Sequence, residues 1–168
     1  MAATLNLERI YVKDISFESP QAPDVFRKPW QPKINFDLNS GAVPIANSPT
    51  GEQPLGVGED GAPIEARHEV NLRVTLTAKD DSDQTVLIVE VTQSGIFASS
   101  GFEEEQLRRV LATMCPNILF PYVREQVDSL MVKGGFPPAH LAPVNFEAVY
   151  AQAAAAQQQA NDKDNPSH

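Results

Sequence analysis

The sequence predicts an α+β fold: a four-stranded antiparallel sheet, a long proline-interrupted helix packed on it, and a second, C-terminal helix. Three observations carry this. Apolar and polar residues alternate along 33–38, 68–79 and 84–93, the period of strands with one buried face. Between Ser100 and Pro138, Leu107, Val110, Leu111, Met114, Leu119, Tyr122, Val123, Val127, Leu130 and Met131 recur near the spacing of a one-faced helix. The strands come first and the helices last, the order of a sheet with helices on one face. With 168 residues, 42% of them apolar, one domain is expected over residues 1–160.

Each element has its own signal. Residues 5–18 read as a first strand. Ile10 and Val12 fall on one face, and Leu5, Leu7, Tyr11, Ile15 and Phe17 on the other, so a bulge or burial on both sides is expected. Residues 19–32 hold four prolines and read as an extended loop that carries Val25, Phe26 and Trp30. Ile34, Phe36 and Leu38 mark the second strand. Residues 39–66 contain five of the nine glycines and four of the fourteen prolines, with no periodicity, and are expected to be a flexible loop insertion. The third strand, 68–79, turns inward Val70, Leu72, Val74, Leu76 and Ala78. A polar turn, Asp80-Asp81-Ser82-Asp83, joins it to the fourth, 84–93, as a hairpin. The long helix opens on Glu103, Glu104 and Glu105 and closes on Lys133, Gly134 and Gly135. Pro116 and Pro121 lie inside it, so a break or kink is expected near Cys115-Pro116. Its apolar residues spread around more than one side, which implies oligomerisation through the helix. Asn145 is a candidate cap for the last helix, and residues 161–168 read as a disordered tail.

Composition narrows the function. A net charge of −9 without basic clusters argues against a nucleic-acid partner. The longest apolar runs are a few residues, so no stable membrane insertion is expected, and the N-terminus lacks the pattern of a signal peptide. With one cysteine, Cys115, no internal disulfide can form, which fits a reducing compartment and a cytoplasmic location. His68, His140 and His168 are not at metal-ligand spacing, and no phosphate loop or nucleophile elbow is present. Cys115 reads as a small buried hydrophobe rather than a nucleophile. Glu90 stands out as a carboxylate inside the apolar run VLIVEV, in the manner of an exposed sheet face or a binding edge. The residues together describe a binding protein with no enzyme chemistry, no metal and no cofactor.

Several blocks in order then resemble one family: Ile10 to Glu18 followed by Pro20 and Pro23, Trp30-Gln31-Pro32, Gly95-Ile96-Phe97, Cys115-Pro116-Asn117-Ile118-Leu119-Phe120-Pro121-Tyr122, and Leu141-Ala142-Pro143-Val144-Asn145-Phe146. They are similar to SecB, the bacterial protein-export chaperones, over roughly residues 5 to 150. The resemblance implies a cytoplasmic homotetramer, a dimer of dimers. Such a protein holds unfolded precursor proteins without ATP and delivers them to the SecA motor. It implies an acidic SecA-binding surface at Asp14, Glu18, Ile88 and Glu90. It implies an apolar client groove, for which Phe26, Trp30, Ile34, Phe36, Leu38, Phe146, Val149 and Tyr150 are the candidates. SecB-like chaperones that hold an antitoxin are the alternative reading.

Overall fold

The computed structural model describes residues 2–45 and 65–164, with side chains to residue 160. Four strands, β1 (Thr4–Glu18), β2 (Lys33–Ile45), β3 (Ala66–Lys79) and β4 (Thr85–Ser100), form one antiparallel sheet in the order β1-β4-β3-β2. Helices α1 (Glu104–Ala112) and α2 (Met114–Lys133) pack on one face, and α3 (Phe146–Asp164) comes after them.

Alternation builds β3 and the middle of β4. Val70, Leu72, Val74, Leu76 and Ala78 are fully buried beneath the helices, as are Val89, Val91 and Phe97 of β4. The intervening residues point away from the helices. At the hairpin, the Asp80 carboxylate accepts hydrogen bonds from the backbone N–H groups of Ser82 and Gln84 (2.9 and 3.0 Å), an Asx-type turn.

β1 reconciles its two apolar faces by bulging twice. The register slips between Leu7 and Arg9 and again between Val12 and Asp14. Each slip adds one residue and moves the residues beyond it to the opposite face. Leu5, Leu7, Ile10, Val12, Ile15 and Phe17 therefore lie opposite Ser99, Phe97, Gly95, Gln93, Val91 and Val89, all on the helix side. Tyr11 is carried to the outer face instead of joining Leu5 and Leu7 as strict alternation predicts.

The break in the long helix falls at Thr113, two residues ahead of the expected point. Its backbone (φ −123°, ψ −65°) departs from helical values, and its hydroxyl donates to the Arg109 carbonyl at 2.8 Å. Pro116 thus sits in the first turn of α2, where no helical N–H is required. Pro121 lies inside α2 and forfeits one bond. Leu107, Leu111, Cys115, Leu119, Val123, Val127 and Met131 form one buried row, four residues apart, that passes straight through the break. This row is the face that the helices lay on the sheet.

Three boundaries differ from expectation. β2 does not end at Leu38; it pairs with β3 through Ile45, so residues 39–45 are strand and not loop. The small inner residues Ser40, Ala42 and Pro44 hide the alternation, and an edge strand tolerates Pro44. Residues 46–64 of the expected insertion lie outside the described residues. β4 continues past Gln93 to Ser100. α3 reaches Asp164, so 161–164 are helical and not tail, while 165–168 lie outside the described residues. Its Asn145 cap is as expected: the Asn145 amide oxygen accepts the Ala148 N–H at 3.0 Å.

Candidate functional site

The first candidate surface is an aromatic cluster where α2 ends. The Gly135 N–H donates to the Val132 carbonyl (3.0 Å) and the Phe136 N–H to the Met131 carbonyl (2.9 Å), with Gly135 at φ +86°. This left-handed cap turns Phe136 back onto the sheet. Around Phe136 gather Trp30, Phe26 and Phe17, with ring centroids at 5.1, 5.4 and 6.3 Å. Both glycines are needed for the approach. A Cβ on Gly134 would stand 2.2 Å from the Phe17 ring, and one on Gly135 would stand 3.1 Å from Phe26. Phe136 is buried, whereas Phe26 is 52% exposed. Beside the cluster, a cleft of about 260 Å³ opens between the Pro-rich loop and the hairpin turn, lined by Val25, Pro29, Trp30, Pro32, Asp80, Asp81 and Val86 among others.

The other groove candidates spread along the molecule. Ile34, Phe36 and Leu38 lie on the helix side of β2, opposite Ala78, Leu76 and Val74. Ile34 is exposed, while Phe36 and Leu38 pack partly against the core. Farther along β2, a second groove of about 380 Å³ runs between Ser40, Ala42 and Pro44 and the α1 residues Leu107 and Leu111. Phe146 is buried edge-on against Phe120 (6.2 Å), and the Arg109–Glu147 ion pair at 2.9 Å fastens the start of α3. Val149 is exposed and Tyr150 half-buried. Sequence reasoning missed Phe17 and Phe136. The Gly134-Gly135-Phe136 sequence after a helix was the signal that could have found the latter.

The second surface is the outward face of the sheet, and here the predicted residues do come together. Asp14 lies opposite Thr92, Ser16 opposite Glu90, and Glu18 opposite Ile88. β3 continues the rows with Arg73, Thr75 and Thr77, and β2 with Asn39, Asp37 and Asn35. Directly opposed residues share a face, so Asp14, Glu18, Ile88 and Glu90 form one patch. Glu90 accepts from the Arg73 guanidinium at 3.1 Å. Asp14 and Glu18 have no ion pair among the described residues.

Farther along this face, Glu69 is satisfied by its neighbours. The Glu69 carboxylate accepts from Lys13, Tyr11 and Asn71, and these bonds hold it down at about 2. Burial and the bond to Glu69 push the Tyr11 phenol up to about 12.

No nucleophile emerges among the described residues. Cys115 is fully buried, and burial raises its thiol to about 12. Among the described residues, no group of His, Cys, Asp and Glu is placed to hold a metal ion. No described helix is long and apolar enough to cross a membrane.

Comparison with known proteins agrees with this architecture. The family described as Preprotein translocase subunit SecB matches residues 1–53 and 46–158. The protein-export protein SecB of Hahella chejuensis is 43% identical over 152 residues, 90% of this chain and 84% of that protein. That of Marinobacter nauticus is 45% identical over 147 residues, 88% of this chain and 78% of that protein. Among solved structures, the SecB-like chaperone of Mycobacterium tuberculosis, in complex with an antitoxin peptide, shares the fold. The TM-score is 0.57 at 19% identity, covering 83% of this chain and 90% of that one.

Proposed function

The chain belongs to the SecB family of protein-export chaperones, and on that premise we propose that it is an ATP-independent cytosolic holdase. It binds unfolded precursor proteins in an apolar groove, keeps them competent for translocation and delivers them to SecA. The observation that carries the client-binding part is the aromatic cluster: Phe26 and Trp30 rest on a buried Phe136, and Phe26 remains half in water. An extended client covers such surface at about 25 cal/mol per Å², with little regard for sequence because the contact is non-directional. The cleft at Trp30 and the inner residues of β2, Ile34, Phe36 and Leu38, extend the groove; Val149 and Tyr150 offer further apolar surface on α3.

The acidic patch of Asp14, Glu18, Ile88 and Glu90 is the docking surface for SecA, a role that suits carboxylates facing water beside one apolar side chain. Assembly into a homotetramer, a dimer of dimers, is supported by two features. β1 is an edge strand with no described strand on its outer side, and its helix-side residues Leu7, Val12 and Ile15 are 41, 39 and 39% exposed. α2 shows Met114, Tyr122 and Val132 on its outer side.

The deciding experiment monitors the aggregation of a denatured precursor without nucleotide, at substoichiometric tetramer. Suppression is expected, with loss of potency in Trp30→Ala; aggregation at the unassisted rate sinks the holdase reading. Holding with no affinity for SecA would instead point to another client class, such as an antitoxin.

A further inference from the structure

We propose that Arg73 is a built-in competitor for the acidic docking face. Its guanidinium occupies Glu90 in the free protein and is exchanged for a cation of the partner, so Arg73 sets how tightly and how salt-dependently that face docks. This rests on the reading of the face as the surface for SecA.

The register places the competitor. Arg73 stands opposite Thr92, one row from Glu90, so the two meet on the diagonal across β3 and β4 at 3.1 Å. The same Thr92 has Asp14 on its other side, so Arg73 shares a row with a second carboxylate of the patch. Across the rows from Asp14 to Glu18, the outward residues of the four strands include four carboxylates, Asp14, Asp37, Glu18 and Glu90, against one cation, Arg73. Two neighbouring cations are engaged elsewhere, Lys13 by Glu69 and Lys79 by Asp83.

The pair is poised for exchange. The Arg73 and Glu90 side chains are 58 and 32% exposed, so their mutual attraction is weak and the bond reopens readily. Glu90 is nonetheless the more covered of the two, and a cation arriving from a partner must first move Arg73 aside. Electrostatic complementarity tunes encounter and specificity at such a rim, and an internal cation lowers both.

Arg73→Gln is tested for SecA affinity by calorimetry at low and high salt, beside Glu90→Gln, the double variant, and Arg9→Gln. Arg9 shares the outward face, opposite Ile96, so its variant removes the same charge without touching Glu90. Arg73→Gln is expected to bind roughly two- to fivefold tighter at low salt, with the gain fading as salt screens the face. In the Glu90→Gln background the gain should fall to that of Arg9→Gln. An unchanged or weaker affinity, or a gain equal in both backgrounds, overturns the inference while leaving the docking reading intact. A wild-type protein that does not bind SecA overturns both. Thermal unfolding and aggregation suppression at wild-type levels confirm that each variant is folded.

Discussion

The two faces of one sheet make opposite use of the same strands. Toward the helices, β3 and β4 present Val70, Leu72, Val74, Leu76, Val89, Val91 and Phe97 with no exposed area. Away from them, the intervening residues include Glu69, Asn71, Arg73 and Glu90, engaged in bonds that water can replace. Stability is expected to reside on the inner face and recognition on the outer one. Because the alternation is enforced by the pleat, neither face can be edited without leaving the other in register.

The difference can be broken most forcefully from inside. Leu119 is fully buried on α2. Leu119→Ala should cost about 2–5 kcal/mol in urea unfolding at fixed protein concentration. A loss below about 1 kcal/mol would mean the inner face is not the core it is described to be.

Gly95 tests the packing from the opposite direction. A methyl there would meet the Phe97 ring at 2.9 Å, Leu119 at 3.1 Å and the Arg9 carbonyl at 3.3 Å. Gly95→Ala should destabilise by about 1–3 kcal/mol through overpacking, and a neutral result would show that the layer has room.

On the outer face, Glu69→Gln should cost about 1 kcal/mol at pH 7, because Glu69 is only 19% exposed while its partner Lys13 is half in water. The sign with pH is fixed by the depressed carboxyl. Its contribution is whole above 4.5 and fades as pH falls toward about 2, so the wild type and the variant should converge in acid. Divergence there would reverse the assignment.

Smallest of all, Glu90→Lys should shift stability by no more than about 0.5 kcal/mol. It should nevertheless abolish most SecA binding while aggregation suppression persists. Joint loss of both activities would show that the outer face is structural after all.

Much of this division was legible in the chain. The alternation of 68–79 places Val70, Leu72, Val74, Leu76 and Ala78 correctly, because a strand flanked on both sides by other strands is held in register. The turn at Asp80 and the cap at Asn145 were readable because Asp and Asn bond their own backbone. Glu90 was conspicuous as charge inside an apolar run, and Asp14, Glu18 and Ile88 came with the family resemblance; the register brings all four together.

The features that escaped were set by tertiary contact. The two bulges of β1 cannot be located without its partner β4, so alternation alone puts Tyr11 on the wrong face. The last half of β2 carries Ser40, Gly41, Ala42 and Pro44, whose strand character comes from pairing with β3 and not from their own preference. Thr113 takes the break that Pro116 advertised, because a proline in a helix's first turn is satisfied once the chain bends just ahead of it. The aromatic cluster gathers residues from three separate segments, and only the cap at Gly135 aims Phe136 among them.

The paired bulges of β1 have a consequence for how this strand can change its length. Glu8 and Lys13 are the two inserted positions, where the pairing has already been given up. A deletion at either one straightens the strand. Without Lys13, Val12 and Asp14 become consecutive and still face Gln93 and Thr92, so Ile10 and Val12 stay inward and Tyr11 outward. Without Glu8, Leu7 and Arg9 keep Phe97 and Ile96 in the same way. A deletion at Ile10, between the bulges, instead shifts one flank by a residue and turns it to the other face. The strand can shed a residue at its bulges and nowhere between them.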